Sequence, residues 1–294
     1  MIKQLAIIGA TASGKSGVSI KLAQKFNGYI LSLDSLSIYK EIDIASAKPT
    51  IQERNGIKHF GIDEIYPTES FSVNSFIDIY NRAYNRALND NKNLIIVGGS
   101  SFYLKTLIDG LSPLPKISNQ TKLKTKEALK DLSKSYDMLY NIDIEYMQNI
   151  KSTDKYRIEK ALDIYYQTNQ IPSQYFKENP PKPIIKANID IYEISTDREI
   201  LRDRIKLRTN QMIENGLIDE VAYLEKKYPR DLTPMKSIGI KEVLEYLDGN
   251  YSKDKMIEKI IINTSKLAKR QTTFNQSQFS NKISLPLDRI IDIL

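Results

Sequence analysis

The stretch Gly9-Ala10-Thr11-Ala12-Ser13-Gly14-Lys15-Ser16 carries the densest chemistry in this 294-residue chain. Its spacing, G-x-x-x-x-G-K-S between an apolar run and a helical pattern, is that of a phosphate-binding loop. Glycines let backbone N–H groups wrap around phosphate oxygens, and the helix that follows turns its positive dipole end toward them. Lys15 neutralises oxyanion charge, and the Ser16 hydroxyl is placed to ligate Mg²⁺. The loop specifies a polyphosphate without saying which one or what is done to it. Three further positions belong to the same argument. Asp34 ends an apolar run, where a carboxylate would line the ligand crevice of a parallel sheet, or alternatively cap a turn. Ser100 follows Gly98-Gly99, which allow a ligand close to the backbone, or it starts a helix. Arg204 and Arg208 lie one helical turn apart and could clamp phosphate oxygens, or form part of a solvated face with Arg198, Arg202 and Lys206.

The elements that must position these residues are readable in outline. Leu5–Ile8, Tyr29–Leu33, Asn93–Val97 and Asn188–Ile194 have strand character. Helical periodicity covers Gly17–Phe26, Ser72–Leu88 and Phe102–Ile108, with Phe76, Ile79, Tyr80, Ala83 and Ala87 on one face of the second. Ser72 or Asn74 could cap that second helix. Ile42–Pro49 reads as an ordered loop. His59, the single histidine, has no sequence neighbour for nucleophilic chemistry and reads as a polar structural residue. Beyond the hinge-like boundary Leu111–Pro115, Thr121–Leu132, Ser135–Asn141 and Asp154–Thr168 are helical and rich in Lys and Tyr. A second boundary lies at Asn179–Pro183. Then Thr196-x-x-Glu199 forms a capping box for a long helix to Asn215-Gly216, followed by helices over Ile218–Lys227, Ile240–Leu247 and Asp254 to about residue 273, and a last strand after Phe279. Alternation of strand and helix implies an α/β fold, a doubly wound parallel sheet of P-loop NTPase type with a small helical insertion. The expected division is 1–115, 116–183 and 184–294.

Composition narrows the class. There are no cysteines, so disulfides, thiolate catalysis and Cys-based zinc sites are excluded. Met1 runs almost directly into a strand, and no apolar run approaches the ~20 residues that span a bilayer, so a soluble cytoplasmic protein without membrane contact is expected. The formal charge is +7, and the segment from Lys116 to Lys186 is the most basic part of the chain, as a nucleic-acid surface or an ordinary solvated face would be. No carboxylate follows Val97 to position water, which argues against an NTPase switch. A small-molecule kinase using Asp34 as base stays open on the residues alone.

Taken together, the motifs resemble the tRNA dimethylallyltransferase family, also called tRNA isopentenyltransferases. The resemblance rests on the phosphate loop, Asp34-Ser-Leu-Ser-Ile-Tyr-Lys40, Asp43-Ile-Ala-Ser-Ala-Lys-Pro49, His59, Val97-Gly-Gly-Ser-Ser-Phe-Tyr103, Gly110-Leu-Ser-Pro-Leu-Pro115, Asp154-Lys-Tyr-Arg-Ile-Glu-Lys-Ala-Leu162 and Leu267-Ala-Lys-Arg-Gln271. It implies that Gly9, Ala10, Thr11, Ala12, Ser13, Gly14, Lys15 and Ser16 hold the diphosphate of dimethylallyl diphosphate, with Mg²⁺ on Ser16. The acceptor would be N6 of adenosine 37, beside the anticodon of tRNAs reading codons that begin with U. By the same resemblance Asp34 is the general base, Ser100 replaces a threonine that contacts the reacting groups, and Arg208 is the diphosphate-binding arginine. Asp34, Ser35, Leu36, Ser37 and Tyr156, Arg157, Ile158, Glu159, Lys160 match stretches that contact the tRNA anticodon stem-loop. A monomer is expected. Departures fall late in the chain: Gly239-Ile-Lys-Glu242 lacks a tyrosine, Ser265 stands for an arginine, Phe274 for a tryptophan, and Asn275-Gln276-Ser277 lacks an arginine. No zinc-finger extension is expected.

Overall fold

The computed structural model of the chain describes residues 2–293. The first part runs β1 (Gln4–Gly9), α1 (Lys15–Lys25), β2 (Gly28–Ser32), β3 (His59–Phe60), α2 (Val73–Asn89), β4 (Asn93–Gly98) and α3 (Ser101–Asp109). Five helices follow: α4 (Asn119–Ala128), α5 (Leu132–Ile142), α6 (Ile144–Met147), α7 (Lys155–Thr168) and α8 (Pro172–Glu178). The chain then returns through β5 (Asp190–Ser195), α9 (Arg198–Glu214), α10 (Leu217–Lys227), α11 (Ile240–Leu247), α12 (Lys253–Gln278), β6 (Ile283–Pro286) and α13 (Leu287–Ile293). Two units result, one of Met1–Ile108 with Ile185–Leu294 and one of Asp109–Ile184.

In the first unit the six strands form one sheet in the order β3-β2-β4-β1-β5-β6. Every pairing is parallel. Ala6, Ile7 and Ile8 of β1 and Leu94, Ile95 and Ile96 of β4 are fully buried, which is why these strands read as continuous apolar runs rather than alternating ones. Each Ile or Leu among them contributes roughly 1.5–3 kcal/mol by leaving water. Alternation sends Ile7, Ile95, Val97 and Ile194 to one face, where they pack with Val18 and Leu22 of α1 and Ile290 of α13. The opposite face carries Glu193, which accepts from Asn275 Nδ2 of α12 at 2.9 Å. Helices therefore cover both faces, as the alternation of elements requires.

Helix boundaries follow local chemistry. Ser72 caps α2, its side chain accepting from Ser75 N. The start of α9 differs from expectation. Asp197 is the cap, its Oδ1 accepting from the N–H groups of Glu199 at 2.7 Å and Ile200 at 3.3 Å. Thr196 lies one residue too early, and its buried hydroxyl has no hydrogen-bond partner. Gly216, in the left-handed region directly after the cap residue Asn215, closes α9 as expected and also opens α10. The short helices α6, α8 and α13 carry no periodic signal long enough to be read in advance. Among the described residues no helix is long and apolar enough to cross a membrane.

The second unit has its own core, in which Leu139, Met147, Ile158, Ala161 and Leu162 are fully buried. The hinge-like segment after Gly110 is tied into this unit: Leu111 bridges Lys182, and the Tyr175 hydroxyl donates to Pro113 O at 3.1 Å.

Candidate active site

The phosphate loop begins where β1 ends. Between β1 and α1 the backbone turns through the left-handed region twice, at Ala12 (φ 62°) and Gly14 (φ 94°). Gly14 is doubly constrained, because a Cβ there would also meet Leu287 Cδ2 at 2.9 Å. The curl buries Lys15, whose ammonium donates to Ala10 O at 2.6 Å and to Ser13 Oγ at 3.5 Å. Burial, and then the neighbouring Arg208, push the Lys15 ammonium down to about 7, while the Asp34 carboxylate pulls the other way. A lysine in this state is short of negative charge, which an oxyanion beside it would supply.

The two arginines of α9 separate from the rest of its charged surface. Arg202 and Lys206 are exposed, whereas Arg204 and Arg208 are half-buried against the loop. Arg204 Nη1 reaches Ser13 O at 3.4 Å. Arg208 donates through Nη1 to Thr11 Oγ1 at 3.3 Å and through Nη2 to Ala47 O at 3.5 Å. Burial lowers the proton affinity of Arg208, opposed by Asp34.

The Ala-Lys-Pro segment explains itself as the support of Ala47. Lys48, almost wholly buried, pairs with Asp43 at 2.7 Å and with Asp63. Glu220 of α10 accepts from the N–H groups of Asp43, Ile44 and Ala45 at 2.9, 2.7 and 2.9 Å. No sequence signal pointed to Glu220, which sits in an ordinary amphipathic helix. Ala47 and Ser16 also line a cleft of about 480 Å³ together with Lys21 and Glu53.

Asp34 and Ser100 come together at the ends of β2 and β4. Ser100 N donates to Leu33 O at 3.0 Å, and Leu33 N donates to Val97 O at 2.7 Å. A Cβ at Gly98 would lie 2.6 Å from Leu33 Cβ, so the two loops touch only because that side chain is missing. Asp34 Oδ1 accepts from Leu36 N at 2.8 Å and Ser37 N at 3.0 Å. The turn-capping role read as an alternative is thus real. It engages one carboxylate oxygen, and a carboxylate has a second. The charge of Asp34 acts on Lys15, on Arg208 and on Tyr103, whose phenol burial pushes up to about 12. Tyr103 in turn stacks on Phe76 with ring centroids 4.5 Å apart.

Of the other residues singled out, Ser35 is exposed, Leu36 half-buried and Ser37 buried. His59 Nδ1 contacts Ile57 O at 2.9 Å, a structural role as expected. In the helical unit Tyr156 is 69% exposed on α7, and Lys160 lies 5.8 Å from its ring centre. Arg157 pairs with Asp154 at 2.7 Å and Lys160 with Asp163 at 3.0 Å. Glu159 lies 3.7 Å from Lys160. Ile158 is fully buried, so its side chain holds α7 in the core and offers no surface to a ligand.

Among the described residues no cluster of three His, Cys, Asp or Glu could hold a metal. The donor set at the loop is instead one exposed hydroxyl, Ser16, at the start of α1. That set fits Mg²⁺, which keeps several waters and takes substrate phosphate oxygens, and does not fit an ion needing an all-protein cage.

One further residue reaches the loop. Gln271, far along α12, accepts from Thr11 N through Oε1 at 2.8 Å. It lies in the Leu267–Gln271 block, but its spacing alone gives no hint of this contact.

The profile of the IPP transferase family matches residues 37–278. The tRNA dimethylallyltransferase of Sulfurovum sp. is 59% identical over 293 residues, covering 100% of this chain and 97% of that protein. That of Sulfurimonas denitrificans is 56% identical over 291 residues, covering 99% and 98%. Among solved structures, a eukaryotic dimethylallyltransferase acting on tRNA superposes with a TM-score of 0.85 at 28% identity, over 97% of this chain and 74% of that one. The full-length tRNA isopentenylpyrophosphate transferase of Bacillus halodurans gives a TM-score of 0.72 at 29% identity, over 100% and 94%.

Proposed function

The chain belongs to the IPP transferase family of tRNA dimethylallyltransferases, and on that premise we propose how its residues divide the work. The enzyme transfers the dimethylallyl group of dimethylallyl diphosphate to N6 of adenosine 37, in tRNAs reading codons that begin with U, and releases diphosphate. The observation that carries the reading is the charge arrangement: Lys15 is buried and Arg208 half-buried against one loop, with Asp34 acting on both.

The diphosphate lies in the curl of Gly9 to Ser16, its charge met by Lys15, the backbone N–H groups, the α1 dipole and Arg208. Mg²⁺, held by Ser16, diphosphate oxygens and water, would supply further neutralisation of the leaving group. The bond between the allylic carbon and the bridging oxygen breaks, and its electron pair leaves with diphosphate. The N6 lone pair forms the new C–N bond, and the N6 proton passes to the Asp34 oxygen not used by the Leu36 and Ser37 N–H groups. The amine of adenine is a poor nucleophile because its lone pair is delocalised into the ring, which is why a proton acceptor beside it matters. Ser100, whose backbone N–H is tied to the residue before Asp34, contributes its hydroxyl to the reacting groups in this reading. The base reaches this pocket by leaving its stack. In the helical unit, Tyr156, Arg157, Glu159 and Lys160 present the exposed part of α7 to the anticodon stem-loop. One chain carries every group named, consistent with a monomer working in the cytoplasm, where tRNA is available.

Incubation of the protein with tRNA and dimethylallyl diphosphate, followed by mass analysis of the nucleosides, tests the reading. Appearance of N6-dimethylallyladenosine is expected. Unmodified adenosine with active substrate preparations refutes it.

A further inference from the structure

Gly99 poses a question that its backbone does not answer. Its φ lies outside the left-handed region, so conformation does not demand a glycine there. Space does. A Cβ at Gly99 would lie 2.3 Å from Gln271 Nε2 and 3.1 Å from Gln271 Cδ. The amide of Gln271 therefore lies on the Gly98–Ser100 loop, while its other end, Oε1, takes the N–H of Thr11. The orientation of this amide is fixed by chemistry, because an N–H donor at Thr11 requires the oxygen, leaving the NH₂ end over Gly99.

We propose that Gln271 is a positioning residue that yokes the diphosphate loop to the loop carrying Ser100. Thr11 is the point of action. Its N–H goes to Gln271, and its hydroxyl receives Arg208 Nη1 at 3.3 Å. With the N–H satisfied by Gln271, Thr11 is held at a fixed place in the curl, and Arg208 is aimed at the leaving group through it. The same amide keeps the loop of Ser100 at a set distance from the diphosphate. One side chain thus fixes the separation between where the leaving group departs and where the acceptor nitrogen attacks. The inference rests on the diphosphate reading above, and the experiment separates the two.

Gln271→Met keeps the volume and removes both hydrogen-bonding ends. We expect KM for dimethylallyl diphosphate to rise about tenfold, the scale of one missing buried hydrogen bond, with KM for tRNA unchanged. Gly99→Ala should produce a similar rise, because the new methyl displaces the far end of a flexible side chain rather than backbone. The decisive measurement is the double variant. If Gly99→Ala acts through Gln271, adding it to Gln271→Ala has no further effect. Thermal melts of each variant separate positioning from loss of fold. Additive effects, or a Gln271→Met enzyme with wild-type KM, overturn the proposal while leaving the function intact. Absence of transfer by the wild-type protein overturns the functional reading instead.

Discussion

Replacing Lys15 by methionine should make the empty protein more stable, and the excess should depend on pH in a defined direction. Lys15 titrates at about 7 in the folded state against an ordinary 10.5. At ~1.4 kcal/mol per pH unit, holding this ammonium charged below pH 7 costs the empty fold about 5 kcal/mol. The sign is set by proton counting. Between pH 7 and 10.5 the unfolded chain binds more protons than the folded one, so stability rises with pH across that window. The penalty is full below pH 7 and falls to under about 1 kcal/mol at pH 10. Methionine does not titrate, but it forfeits the hydrogen bonds to Ala10 O and Ser13 Oγ, about 1 kcal/mol each. The net expectation is a variant about 2 kcal/mol more stable than wild type at pH 7, where half the ammonium has already been lost, and about 1 kcal/mol less stable at pH 10. Urea unfolding of both proteins at the two pH values measures it, and taking the difference cancels every other titrating group. Adding dimethylallyl diphosphate should raise the melting temperature of wild type and leave the variant unmoved. An offset between the two proteins that is the same at pH 7 and pH 10 refutes the argument, because the lysine would then carry its charge without strain.

Asp34→Asn keeps an oxygen for the Leu36 and Ser37 N–H groups, so the turn should survive while prenyl transfer falls by about 10²–10⁴-fold. Isothermal titration should find diphosphate binding nearly unchanged, and a variant with near wild-type turnover would mean Asp34 is a cap and nothing more. Arg208→Ala should weaken dimethylallyl diphosphate binding by about tenfold or more, and Arg204→Ala by much less, since Arg204 reaches only Ser13 O, at 3.4 Å. Equal effects would remove the distinction between them. Neutralising Arg157 and Lys160 together should flatten the salt dependence of tRNA binding by about one unit of slope for each phosphate these side chains neutralise, and leave dimethylallyl diphosphate binding alone. Identical slopes would mean that their pairs with Asp154 and Asp163 are only a solvated helix face.

What could be read from the sequence was what is local. The phosphate loop announces itself because eight consecutive residues carry it, and β1 and β4 do so because strands buried on both faces are apolar throughout. Asp34 stayed divided between base and cap since both roles favour Asp at a strand end, and the geometry shows the cap occupying one oxygen. The arginines of α9 could not be sorted by pattern, because Arg198, Arg202 and Lys206 surround them and only the packing of α9 against the loop distinguishes a pocket from a surface. Glu220 and Gln271 were out of reach altogether: their partners lie 177 and 260 residues away. Contacts at that range are created by topology, and an ordinary Glu or Gln in a helix bears no mark of them.

The order of strands has a consequence for how the protein comes into being. A ribosome delivers the phosphate loop within the first few residues, but β1 stays open on one side until β5 arrives, with Leu5 beside Asp190. The whole helical unit is synthesised in between, and it can settle on its own core while the sheet waits. Even then the loop is unfinished. Thr11 receives Gln271, and Gly14 receives Leu287, only from the last stretch of the chain. Closing contacts over that distance is slow, and a nascent chain paused before Gln271 holds five of the six strands but lacks the contacts that complete the loop. The earliest-made loop is therefore the last to be completed, and its final geometry waits on Gln271 and Leu287 from the end of the chain.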